Sequence, residues 1–136
     1  MDRRTAKTLT SSESGARTAL DVSDARITLF GHTHEQVEWI SNRKACYDFQ
    51  PEFSSRLELD QYQIRVRHRG HNRVLLNPGS VGQPRDGDWR AAFAIYDDAE
   101  LRWTWYRIPY DVDAAQKRIL RAGLPEVLAS RLRDGS

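Results

Sequence analysis

The chain has 136 residues, enough for one domain and a real core, with 39% hydrophobic residues and 4 Trp, 5 Tyr and 4 Phe to fill it. Its 21 basic and 19 acidic residues leave a formal charge of +2, which argues against a nucleic-acid protein with a lopsided charge, so no specific nucleic-acid binding is expected. A single cysteine, Cys46, excludes a disulfide framework, and no apolar run is long enough for a signal peptide or a membrane span, so a cytoplasmic protein with no membrane partner is expected.

Residues 1–8 read as a flexible polar lead-in. Thr10-Ser11-Ser12-Glu13 has the form of a capping box and opens a helix over 9–20, with Ala16, Ala19 and Leu20 on its apolar face. Strands are expected over 26–108. Arg26-Ile27-Thr28-Leu29-Phe30 is apolar and β-branched, a short buried strand. Gly31 then breaks it where a side chain would obstruct a bend. His32 and His34 follow two residues apart, and neutral imidazoles at a strand's end suggest a metal site, although a chance pair on a solvated loop has the same pattern.

Gln36 to Ile40 and Lys44 to Phe49 suggest two further strands. Tyr62, Ile64 and Val66 alternate with Gln63, Arg65 and Arg67, which predicts one buried and one basic face. A turn at Gly70-His71-Asn72 then returns the chain as a buried partner, Arg73-Val74-Leu75-Leu76, in a hairpin. The basic strip Arg65, Arg67, Arg69 and Arg73 suits a solvated edge that resists strand-to-strand aggregation, and it also has the charge to attract phosphate. Asn77-Pro78-Gly79-Ser80 ends the strand in a shaped loop, kinked again at Pro84 and Gly87, in which Asn77, Ser80 and Arg85 carry polar groups able to face a substrate or support a metal ligand.

Ala91 to Tyr96 and Leu101 to Ile108 are strands apolar on both faces, joined by a hairpin at Asp97 to Glu100. Two C-terminal helices are expected over 111–134. Asp111 caps the first and Gly123 ends it, and Leu124, Leu128 and Leu132 line the second.

Gly31-His32-Thr33-His34 followed by Leu76-Asn77-Pro78-Gly79-Ser80-Val81-Gly82-Gln83-Pro84-Arg85-Asp86-Gly87-Asp88 resembles the C-terminal half of bacterial calcineurin-like metallophosphoesterases. The likeness runs on through Tyr110-Asp111-Val112 and Gly123-Leu124-Pro125. It implies an α/β (α+β) fold: the C-terminal part of a four-layer αββα sandwich, a single partial domain over 1–136, with mixed and antiparallel strands followed by two helices. It further implies hydrolysis of phosphate mono- or diesters at a site of two divalent metal ions (manganese, iron, zinc or nickel), with His32 on one and His34 on the other. Gly31, Asn77, Ser80 and Arg85 would stand beside that site. In the family the remaining ligands lie upstream, in an Asp-x-His turn, a Gly-Asp turn, a Gly-Asn-His turn and a further histidine, and none of these precedes His32 here. The chain is therefore expected to be inactive alone and to need a complementing N-terminal half or to self-associate, the absent half covering one face of the strands at 91–108. A non-catalytic alternative, a metal-stabilised binding or scaffold module, gathers His32, His34, His68 and His71 around one structural ion.

Overall fold

The computed structural model describes residues 13–22, 24–42 and 45–136. Helix α1 (Glu13–Val22) leads into β1 (Ile27–Leu29), β2 (Gln36–Ser41), β3 (Cys46–Phe49), β4 (Asp60–Arg65), β5 (Arg73–Pro78), β6 (Ala91–Asp97) and β7 (Arg102–Ile108). Helices α2 (Val112–Arg121) and α3 (Glu126–Asp134) close the chain. The expected lead-in and the capping residue Thr10 lie outside the described residues; Glu13 pairs with Arg17 at 3.0 Å.

The strands form two sheets, ordered β1-β5-β2-β3 and β4-β7-β6. Among the described residues only β1 and β5 run parallel; the other neighbours are antiparallel. Strand β5 explains why its sequence is apolar without alternation. Val74 and Leu76 face the second sheet and pack with Trp103 and Trp105, while Leu75 faces α1 and packs with Ala16, Leu20 and Cys46. A strand covered on both sides has no water-facing position for a polar residue. Strand β2 shares this fate, with Ile40 turned towards the second sheet and Trp39 towards the helix.

Three sequence expectations are corrected. The segments around Gly70-His71-Asn72 do make a turn, with Asn72 N–H donating to the Arg69 carbonyl at 3.2 Å, but no hairpin: β4 pairs with β7, and β5 with β1 and β2. The alternation in β4 foretold a half-buried strand and could not say which strand it would meet. Arg73 leaves the basic strip, since its guanidinium donates to the Leu20 carbonyl at 2.5 Å. The Trp103–Trp105 face of β7 is covered by the chain's own first sheet rather than by an absent half.

Asp111 caps α2 as expected, accepting from Ala114 N–H at 2.9 Å, and Gly123 (φ 69°) follows its end. Helix α3 starts after Leu124, which is half exposed, and buries Ala129 and Leu132. The two helices pack chiefly on each other, and Gly135 returns to the loop after β5, its carbonyl accepting from Gly87 N–H at 3.0 Å. Among the described residues no helix is long and apolar enough to cross a membrane.

Candidate functional site

Strand β1 delivers the histidine turn to one end of the sandwich. Phe30 N–H still bonds the Leu76 carbonyl at 3.0 Å; then the chain departs from the sheet. His32 (φ 84°) and His34 (φ 65°) both take left-handed backbone conformations, which cost a residue with a Cβ of order 1–3 kcal/mol each. Gly31, expected to provide the bend, has neither a positive φ nor a neighbour within 4 Å of where its Cβ would stand. The strain rests on the histidines.

The loop after β5 holds that strain in place. Asn77 is wholly buried, and its Nδ2 donates to Thr33 Oγ1 at 2.8 Å while its Oδ1 accepts from Gly79 N–H at 2.9 Å. Its carbonyl accepts from Trp105 Nε1–H at 2.8 Å, which ties the turn to the core. Ser80 Oγ accepts from the N–H groups of Gly82 (3.3 Å) and Gln83 (3.0 Å), and this sets the direction of the Gln83 carbonyl. That carbonyl lies 2.7 Å from His34 Nδ1. A carbonyl only accepts, so Nδ1 carries a proton, and in the neutral ring the lone pair then lies on Nε2, the tautomer a metal-binding imidazole needs. Arg85 acts through its backbone, donating N–H to the His34 carbonyl at 3.1 Å; its exposed guanidinium reaches only Gln83 Oε1, at 3.0 Å. Gly79 (φ 86°) cannot be replaced freely, because a Cβ would sit 2.7 Å from Ala92 Cβ.

Behind the loop lies an ion-pair network that the sequence did not disclose. Arg107 pairs with Asp86, and Arg90 with Asp88 at 2.5 Å; both guanidiniums lie over the Phe53 ring, at 5.5 and 5.6 Å. Arg90 is fully buried and also donates to the Glu58 carbonyl at 2.7 Å. Burial alone would raise the Asp88 pKa, but hydrogen bonds from Arg90 and the nearby Arg107 charge hold it below the usual carboxylate range. Asp86 Oδ2 accepts from Gln36 N–H at 3.2 Å, so the network grips the exit of the histidine turn. Glu35, beside it, is pushed up by burial and by the Asp86 charge. Gln36 was missed as well: its Nε2 donates to the carbonyls of Pro78 (3.1 Å) and Tyr106 (3.2 Å), bridging the two sheets. The sequence signal for Asp86, Asp88 and Arg90 was a run of charges around Gly87, which reads as solvated, while Arg107 and Gln36 lie in strands with no such signal.

His68 and His71 belong elsewhere. They precede Arg73, and the β5 register from Arg73–Ser41 to Pro78–Gln36 puts the two histidine pairs at opposite ends of the strand. Six residues at about 3.3 Å each separate them, which rules out one four-imidazole ion. Among the described residues no three His, Cys, Asp or Glu side chains converge as a metal set. The chain thus presents two imidazoles, one with its tautomer fixed. They fit as part of a two-metal site and not as the whole of one, because two neutral donors offset no charge of a pair of dications.

No family profile matches the chain. The fold is similar to the crystal structure of a metallophosphoesterase from Sphaerobacter thermophilus, with a TM-score of 0.71 and 29% identity, covering 89% of this chain and 47% of that one. The chain is also 43% identical over 60 residues to the uncharacterized protein MJ0912 of Methanocaldococcus jannaschii, a match covering 44% of this chain and 25% of that protein. It therefore spans about half the length of the solved relative and a quarter of the curated one. The mixed α+β architecture, two sheets with two helices at the C-terminus, is that of a metallophosphoesterase structure.

Proposed function

We propose that this chain is the C-terminal part of a metal-dependent phosphoesterase acting on phosphate mono- or diesters. His32 and His34 each donate to one of two divalent ions. The observation that carries this reading is the His34 imidazole, held in a strained turn with Nδ1–H committed to the Gln83 carbonyl at 2.7 Å and Nε2 left to donate. Divalent ions at such a site lower the pKa of bound water and neutralise charge on the phosphoryl oxygens. The chain's own residues do the rest by positioning: Asn77 fixes Thr33 between the two imidazoles, Ser80 aims the Gln83 carbonyl, and the Arg85 backbone holds the His34 carbonyl.

The missing carboxylates come, in this reading, from a complementing N-terminal half. Strand β1 supports that partner: among the described residues it pairs only with β5, and Leu29 on it is 57% exposed at an open edge of the sheet. Self-association through the same edge is the outcome when no such half is supplied. Reconstitution tests both points. The chain alone is expected to show no metal-dependent hydrolysis of an aryl phosphate diester, and addition of the N-terminal half of a close relative restores turnover that a chelator removes. Turnover by the chain alone, lost on His32→Ala, would overturn the need for a partner. No turnover from a stable, metal-loaded complex would leave a scaffold as the better account.

A further inference from the structure

Glu38 stands on the face of β2 shared with Gln36 and Ile40, between Leu76 of β5 and Phe49 of β3, and so points between the sheets. It is only 6% exposed, and its Oε1 is buried without a hydrogen-bond partner. Such a group destabilises the fold unless something donates to it. Glu38 opens into a cavity of about 410 Å³, walled by Ile40, Phe49, Tyr62 and Ile64 and rimmed by Arg65 and Arg67. Those two arginines also line an adjoining trough of about 440 Å³ with Arg69. Among the described residues, no carboxylate lies within ion-pair distance of Arg65, Arg67 or Arg69. The register puts the arginine mouth of this composite cavity away from the histidine turn, with Glu38 midway, two residues along β2 from Gln36. Arg65 pairs with Arg102 at the far end of the second sheet, whereas Asp60 pairs with Arg107 at the end that carries the turn.

The two ends make opposite demands on a ligand. A buried carboxyl seeks N–H donors and repels anions; three arginines without carboxylate partners seek an anion. Between them the walls are aromatic and aliphatic. Phe49 and Tyr62 touch each other, with centroids 5.4 Å apart, so a flat ring packs against this pair and does not slip between its members. The volumes fall in the range of small-molecule sites, and together they exceed what a ring alone would fill. We propose that this cavity binds a guanine nucleotide, with the base N1–H and N2–H on Glu38 and the phosphates on Arg65, Arg67 and Arg69. Guanine is the base whose two parallel donors match a carboxylate. A simple anion would use only the arginines, and a cation would meet their repulsion at the mouth. The site is independent of the phosphoesterase reading.

Guanosine diphosphate is titrated into the full chain by calorimetry, with chelator present so that the histidine turn takes no part. Saturable one-to-one binding is expected, at least tenfold tighter than ribose 5-phosphate and tighter than adenosine diphosphate. Glu38→Gln and the double variant Arg65→Ala/Arg67→Ala should each weaken it at least tenfold, while His32→Ala leaves it unchanged. Glu38→Gln removes a buried charge without a hydrogen-bond partner, and the arginine pair is on the surface, so both variants are expected to fold, checked by near-ultraviolet circular dichroism. Equal affinity for ribose 5-phosphate would reduce the site to a basic strip and overturn the proposal. So would loss of binding in His32→Ala, insensitivity to Glu38→Gln in a folded protein, or no saturation at millimolar nucleotide.

Discussion

The histidine turn and the middle of β2 treat their buried polar side chains differently. At the end that carries the histidine turn, Asn77, Ser80, Gln36, Arg90 and Arg107 are buried or half-buried and each side chain makes hydrogen bonds within the chain, although Gln36 Oε1, Asp86 Oδ1 and Arg107 Nε are buried without one. Midway along β2, Glu38 is just as buried and its Oε1 has none, and among the described residues no carboxylate stands within ion-pair distance of Arg65, Arg67 or Arg69. Side chains tied by several hydrogen bonds make a rigid geometry, and two histidines in strained backbone stand beside it. A buried group left without a partner costs stability and persists where something else satisfies it. The turn is thus braced by side chains that bond within the chain, and Glu38 is where the proposed ligand would supply the missing donor.

The largest expected effect tests the preorganised end directly. In a reconstituted enzyme, His32→Ala or His34→Ala should lower kcat on the order of 100-fold or more, whereas His68→Ala and His71→Ala, at the opposite end of β5, leave it within error. Equal losses from all four would erase the distinction between the ends.

Next comes the ion-pair network. Arg90→Ala leaves Asp88 buried without its main partner and should cost about 3–5 kcal/mol in urea unfolding. Adding Asp88→Asn should recover part of that loss, because the stranded charge is then gone. A loss below about 1 kcal/mol would mean that the network is solvated after all.

Glu38 gives the opposite sign. Burial pushes its pKa up to about 7 against the opposing pull of the Arg67 charge, from an ordinary value near 4.5. A carboxyl whose pKa is raised in the folded state costs nothing while protonated in both states, below pH 4.5. Its cost grows as pH rises between 4.5 and 7 and is complete above 7. The wild-type protein should therefore lose up to about 3 kcal/mol across that window from this group. Glu38→Gln should remove the slope and be more stable than wild type at pH 8, measured by urea melts at several pH values. An unchanged slope would place the unpaired carboxyl in water.

The smallest effect separates two reasons for one glycine. Gly79→Ala meets Ala92 Cβ at 2.7 Å and takes a positive φ, and should cost about 1–3 kcal/mol. Adding Ala92→Gly relieves that contact but neither the one with Gln36 Cγ at 2.8 Å nor the backbone strain, so the double variant should recover only part in thermal unfolding.

Sequence alone determined the elements and the histidine turn. Period-two alternation placed β4, a continuous apolar run placed β5, and Asp111 with Gly123 bracketed α2, because these are local preferences of backbone and solvent exposure. The pair of motifs likewise announced the turn and the loop that braces it. Which strand pairs with which was decided only by tertiary structure: β4 and β5, adjacent in sequence, went to different sheets, since alternation fixes a strand's faces and leaves its neighbours free. The same holds for the charges. Asp86, Asp88, Arg90 and Arg107 look like solvated residues one by one, and only the folded chain brings Arg107 across to Asp86 and closes Phe53 over both guanidiniums. Glu38 is the clearest case, an acidic residue in an apolar strand whose burial follows from a second sheet that no local pattern could announce.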